Sequence, residues 1–270
     1  MINRPFRLPQ RLLTVAALTV AIAISGCQKT PDANEAKTDT GTQNSNKNTS
    51  QTSDTQPSQT TSTTIPAEQQ APLTILALGD SLTEGLGVDN NANYPAQLQT
   101  RLQELGYKDI KVINSGLSGE TSTGLVNRLD WVLQTKPDIT ILTIGANDAI
   151  RGIDVATVEA NIRTAVKRLQ DNDSVVILGG MQIYDNLGSD YVKSFAAIYP
   201  RVAKDMNVTL IPFFLDGVGG DPKLNQADAI HPTKEGYTLI VNDNILPILQ
   251  PELKKINPSN VTNTPTETAQ

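Results

Sequence analysis

The 270-residue chain carries 22 Lys and Arg against 28 Asp and Glu, a net charge of −6, with one cysteine and one histidine. Acidity without a clustered Lys/Arg patch excludes a nucleic-acid-binding role, because phosphate contacts need a basic footprint. A single cysteine excludes an internal disulfide, and a single histidine leaves one imidazole as a candidate general base.

Residues 1–26 read as a secretory signal: Arg4, Arg7 and Arg11 precede an apolar run from Leu12 to Ile24 that is too short to span a bilayer. Ile24-Ser25-Gly26-Cys27 resembles the lipobox of bacterial lipoproteins, which implies that Cys27 is lipidated and becomes the first mature residue. Losing the three arginines takes the net charge from −6 to −9. Gln28, not an aspartate, follows the cysteine and points to the outer membrane, with the protein facing the periplasm. Residues 27–71 form the expected tether: rich in Thr, Ser, Asn and Gln, they cannot bury enough apolar surface to offset chain entropy. About 44 such residues have a root-mean-square reach of roughly 35–40 Å.

Residues 72–256 are the expected folded domain, and 257–270 a polar tail. Apolar runs at 73–78, 110–113, 138–144, 174–179 and 208–211 read as strands. Helical patterns occupy 94–105, 121–135, 155–170, 190–206 and 232–249. In the third, Val158, Ile162, Val166 and Leu169 make one apolar stripe, with Glu159, Arg163 and Lys167 on the wet side. Alternation of this kind predicts an α/β domain in three layers around a parallel sheet of about five strands.

Function concentrates at strand ends. Ser81, in Gly79-Asp80-Ser81-Leu82, lies just past the carboxyl end of the first run, the edge where open α/β sheets place their sites. His231, the lone candidate base, stands three residues after Asp228 in Asp228-Ala229-Ile230-His231. A serine becomes a nucleophile when a base removes its proton and a carboxylate orients that base. Two polar loops share the Ser81 edge: Asn114 to Ser122, and Gly145-Ala146-Asn147-Asp148. The glycines of the first offer backbone N–H groups to a developing oxyanion, and the Asn147 amide offers another donor. Alone, each loop is an ordinary turn or helix cap. Asp80 is read as a turn-shaping residue and Asp148 as support for the Asn147 turn, with no metal between them.

In that order, Gly79 to Leu82, Gly119, Gly145 to Asp148 and Asp228 to His231 resemble the four blocks of the SGNH, or GDSL, hydrolase superfamily. From about 73 to 249 the chain is similar to its bacterial periplasmic branch of multifunctional thioesterases, lysophospholipases and arylesterases, notably at Met181-Gln182-Ile183 and Pro212-Phe213-Phe214. The resemblance implies a flavodoxin-like α/β/α fold and hydrolysis of small acyl esters, thioesters or lysophospholipids without metal or organic cofactor. It implies Ser81 as nucleophile, His231 as base and Asp228 as its orienting carboxylate; the sequence does not fix the oligomeric state, and a monomer is the expectation. The oxyanion donors would be the N–H groups of Ser81 and Gly119 and the side chain of Asn147, with Gly116 as rival to Gly119. Residues 184–191 and 213–215 are the apolar stretches from which an acyl groove could be built. The family's members also include glycan O-deacetylases, and a non-catalytic envelope lipoprotein on the same scaffold is a third reading.

Overall fold

The computed structural model describes residues 72–184 and 188–256. The signal, Cys27, the tether, the tail and residues 185–187 lie outside the described residues.

Five parallel strands form one sheet in the order β2-β1-β3-β4-β5. They are β1 (Leu73–Gly79), β2 (Ile110–Gly116), β3 (Ile139–Thr143), β4 (Val175–Gly179) and β5 (Thr209–Ile211). The central strands are apolar without alternation because both faces are covered: Ile75 to Leu78, Ile139, Ile141, Leu142, Ile177 and Leu178 are all buried. The order reverses at β1, which pairs with β2 on one side and β3 on the other. Such a reversal opens a crevice at the carboxyl edge of the sheet.

One layer holds α2 (Tyr94–Glu104), α8 (Lys234–Leu239) and α9 (Leu246–Ile256); the other holds α3 (Ser122–Val132), α5 (Val155–Gln170), α6 (Ser189–Ala196) and α7 (Ile198–Met206). The expected stripe of α5 is buried, joined by Ala165. Local signals set the helix starts. Asn93 caps α2 by accepting from the Ala96 N–H at 3.0 Å, and Thr121 caps α3 through Gly124.

Four expectations are revised. Strand β2 runs three residues beyond 113, because Asn114, Ser115 and Gly116 continue the ladder with Ala77, Leu78 and Gly79. The helix expected at 190–206 is two helices that meet at Ala197. The last helix does not stop at 249. After a π-helical turn over Ile240–Ile245 it continues to Ile256 with Pro251 inside. Pro251 withholds a donor from the Pro247 carbonyl, and both prolines are exposed, so water can satisfy that group. Two short helices fall where loops were read, α1 (Ser81–Glu84) and α4 (Ala146–Ile150).

Candidate active site

Ser81 opens α1 directly after β1, so its side chain stands at the carboxyl edge of the sheet. The turn that puts it there requires Gly79: a Cβ on that residue would lie 2.3 Å from the Thr143 carbonyl oxygen and 2.5 Å from the Thr83 hydroxyl. Asp80 caps α1, its Oδ1 accepting from the Leu82 N–H at 3.1 Å. That is the turn-shaping role expected of it. Burial pushes the Asp80 carboxyl up to about 6, overcoming the opposite pull of the Leu82 N–H and of His231.

His231 reaches Ser81 from the loop ahead of α8. Its Nε2 lies 2.8 Å from Ser81 Oγ and its Nδ1 2.6 Å from Asp228 Oδ2. The ionised carboxylate only accepts, so Nδ1 carries the proton and donates it, leaving the Nε2 lone pair to accept the serine O–H. The loop is self-supporting. Asp228 Oδ1 accepts from the N–H groups of Ile230 and His231 at 2.9 and 3.0 Å, a turn that sets Ala229 at φ +59°. Desolvation works against ionisation of Asp228, but those backbone donors and the His231 ring hold its carboxyl down at about 2. It therefore stays a carboxylate throughout the neutral range. Gln226 braces the same loop from its side chain to the Leu86 carbonyl at 2.8 Å, and its N–H donates to the His231 carbonyl at 2.7 Å.

The two polar loops meet beside Ser81. Gly119 adopts φ +77°, a conformation that favours glycine, and its carbonyl accepts from the Arg151 guanidinium at 2.9 Å. Among the described residues, neither the Ser81 N–H nor the Gly119 N–H has a hydrogen-bond acceptor. Gly116, the rival donor, is spent within the sheet edge, its N–H donating to Asn114 Oδ1 at 2.9 Å. Asn147 opens towards Asp80, Nδ2 to Oδ2 at 3.5 Å. Asp148 is buried, and its carboxylate bonds outside the Asn147 turn that it was expected to hold. It accepts the N–H and hydroxyl of Ser122 at 2.8 and 2.7 Å, which ties α4 to the start of α3.

Two supports were not read from the sequence. Arg128 makes a bidentate pair with the buried Glu120, both distances 2.6 Å, and donates to the Ser115 carbonyl and hydroxyl at 2.8 Å. It thereby fastens the residue after Gly119 to the end of β2. Tyr184 donates its hydroxyl to the Ala229 carbonyl at 2.9 Å, which joins the segment after β4 to the Asp228–His231 loop. No local pattern marks either contact.

Beside Ser81 runs an apolar groove of about 510 Å³. Ile150, Met181, Ile183, Tyr184, Phe213 and Ile230 are among its walls. Of the two neighbouring phenylalanines, Phe213 therefore lines the groove. Phe214 is core, edge-on to Tyr94 with ring centres 5.2 Å apart.

The same residues order the comparisons with known proteins. The GDSL-like Lipase/Acylhydrolase family matches residues 77–239, from β1 to the end of α8. The chain is 36% identical to the Esterase TesA of Pseudomonas aeruginosa over 187 residues, covering 69% of this chain and 92% of that protein. It is 33% identical over 170 residues to the Thioesterase 1/protease 1/lysophospholipase L1 of Escherichia coli K12, covering 63% of this chain and 80% of that one. A crystal structure of TesA superposes with a TM-score of 0.63 at 36% identity, over 66% of this chain and 98% of that chain. The serine at the sheet edge, the five-stranded fold around it and this likeness agree: the chain belongs to the GDSL, or SGNH, family of lipase and acylhydrolase ester hydrolases.

Proposed function

We propose that this chain is a lipid-anchored serine hydrolase that cleaves acyl esters and thioesters, including aryl esters and lysophospholipids, through a Ser81-His231-Asp228 triad. The observation that carries the reading is the continuous bonding from Ser81 Oγ to His231 Nε2 and from His231 Nδ1 to Asp228 Oδ2, at 2.8 and 2.6 Å. His231 takes the Ser81 proton as Oγ attacks the acyl carbonyl. The oxyanion is held by the N–H groups of Ser81 and Gly119 and by the Asn147 side chain. The leaving alcohol or thiol receives the proton from His231 and departs. Water, deprotonated by His231, then cleaves the acyl-enzyme and frees the acid and Ser81. The apolar groove supports an acyl chain longer than acetyl, which argues against a glycan deacetylase. An occupant without apolar carbons would gain nothing from walls such as Ile150 and Phe213.

The lipobox at Cys27 and the polar segment after it support a lipid anchor in the outer membrane, with the domain facing the periplasm. An acyl-chain series of matched aryl esters, thioesters and lysophospholipids tests the catalytic reading. Ser81-dependent turnover that persists beyond acetyl is expected. Turnover confined to acetyl esters would favour the deacetylase, and none at all would favour a binding lipoprotein.

A further inference from the structure

Apolar side chains exposed to water are not spread evenly over this domain. Nine large hydrophobic residues are exposed among the described residues, and five of them ring the crevice of Ser81. Leu86 follows α1, with its N–H on the Ser81 carbonyl, and Leu117 follows β2, with its N–H on the Gly79 carbonyl. Ile150 ends α4, Tyr184 follows β4, and Ile230 sits between Asp228 and His231. Their exposures run from 43% at Ile230 to 64% at Ile150. The ring is continuous in structure. Glu84 Oε2 accepts from the Ser118 N–H at 2.7 Å, joining α1 to the Leu117 turn, and Gln226 joins Leu86 to the His231 loop. Ile150, Tyr184 and Ile230 also line the groove, whereas Leu86 and Leu117 do not.

Substrate binding accounts for the three groove residues and leaves Leu86 and Leu117 without a partner. Keeping such side chains in water costs free energy that an apolar or interfacial medium returns. We infer that this ring docks the active-site edge onto a lipid surface, so that the groove draws its acyl substrates directly from the membrane. The inference rests on the esterase reading above and names where that site finds its substrate. The occupant is argued from the chain before the domain. About 44 residues separate Cys27 from β1, enough to span on the order of 145 Å when extended. β1 begins at the amino edge of the sheet, opposite Ser81, and the strand itself is only seven residues long. A chain of that length lets the far edge turn back to the surface that holds the anchor. Trp131, exposed near the end of α3 at the amino edge, marks the alternative face.

The test uses the mature chain, residues 27–270 without the apolar signal, in two forms. Carrying Ser81→Ala and Cys27→Ala, it is co-sedimented with phosphatidylcholine vesicles, which reads docking without turnover and without the anchor. Adding Leu86→Gln and Leu117→Gln should weaken vesicle binding by about tenfold or more, while Trp131→Gln should leave it unchanged. With Ser81 present, the same leucine pair should leave hydrolysis of a dissolved short-chain aryl ester within about twofold, yet slow hydrolysis of lysophosphatidylcholine held in vesicles about tenfold. Vesicle binding lost with Trp131→Gln and kept by the leucine pair would overturn the assignment of the face. So would equal effects of the pair on dissolved and vesicle-held substrate. Failure of the esterase reading would appear separately, as no Ser81-dependent turnover while vesicle binding still followed the leucines.

Discussion

His231 Nε2 stands 2.8 Å from Ser81 Oγ, although 150 residues separate them in the chain. The parallel sheet makes this possible, because it delivers the end of β1 and the loop before α8 to one edge. Groups that act as a unit lose activity as a unit. Ser81→Ala and His231→Ala should each remove nearly all aryl-ester turnover, and Asp228→Asn should leave a small remainder. Asn147→Ala should lower kcat by about 10²–10³ if its amide holds the oxyanion. Initial rates beside melting curves check this; more than a few per cent of turnover in Ser81→Ala at an unchanged melting temperature would remove Ser81 as nucleophile.

Arg128 and Glu120 form an ion pair beneath the Gly119 loop, with side-chain exposures of 19% and 2%. Arg128→Met leaves Glu120 charged in a dry site and should destabilise the fold by roughly 3–5 kcal/mol. Adding Glu120→Gln should recover part of that loss, since no buried charge then remains. Urea unfolding of both singles and the double variant measures the coupling; a double variant as unstable as the sum of the singles would show that the pair is not coupled.

The Asp80 carboxyl makes a pH prediction with a definite sign. Its folded value of about 6 lies above the ordinary 3.8, so between those values the folded chain binds more protons than the unfolded one. The stabilisation is complete below pH 3.8 and is lost as pH rises through about 6. At neutral pH the ionised Asp80 costs on the order of 3 kcal/mol relative to an unshifted carboxyl. Asp80→Asn should therefore flatten the stability profile between pH 4 and 7. Unfolding free energies at several pH values would show it, and parallel profiles for parent and variant would contradict the assignment.

If Cys27 carries the lipid, Cys27→Ala should shift the protein from the membrane fraction to a soluble or unprocessed form and leave aryl-ester turnover per molecule intact. Fractionation and the mass of the first mature residue decide it. Unchanged partition together with no lipid mass on the parent would remove the anchor.

Much of the site was legible because strand ends and motif order are written locally. Leu73 to Leu78 closing on Gly79 locates Ser81, and Asp228 three residues before His231 fits one turn that shares a carboxylate. Helix α5 was legible because 16 residues give periodicity enough turns to declare itself, whereas α1 and α4, at four and five residues, give none. The break at Ala197 does have a sequence cause, since Pro200 sits in the first turn of α7 and withholds a donor from the Ala196 carbonyl, whereas the passage of α9 through Pro251 depends on that face being wet. Arg128 with Glu120 and Tyr184 with Ala229 are choices made by tertiary packing. A sequence displays the side chains but not which of many distant partners each will meet.

Tyr184 carries the last prediction. Its hydroxyl bonds the Ala229 carbonyl at 2.9 Å, and both residues line the apolar groove, so the bond bridges two of its walls. A bridge of this kind can act in two ways, and two variants separate them. If the hydroxyl steadies the Asp228–His231 loop, Tyr184→Phe should lower kcat for every ester by a similar factor, with KM little changed. The loss of one neutral hydrogen bond, about 1 kcal/mol, sets that factor near five. If the ring limits the groove, Tyr184→Ala should raise the rate on long acyl chains relative to short ones, and Tyr184→Phe should not. Ala229 holds its left-handed turn mainly through Asp228, so we expect the limiting role to dominate. The ratio of kcat/KM for a ten-carbon to a four-carbon acyl aryl ester should climb about tenfold in Tyr184→Ala and stay within about twofold in Tyr184→Phe. An unchanged ratio in the alanine variant would mean that the acyl chain does not pass Tyr184.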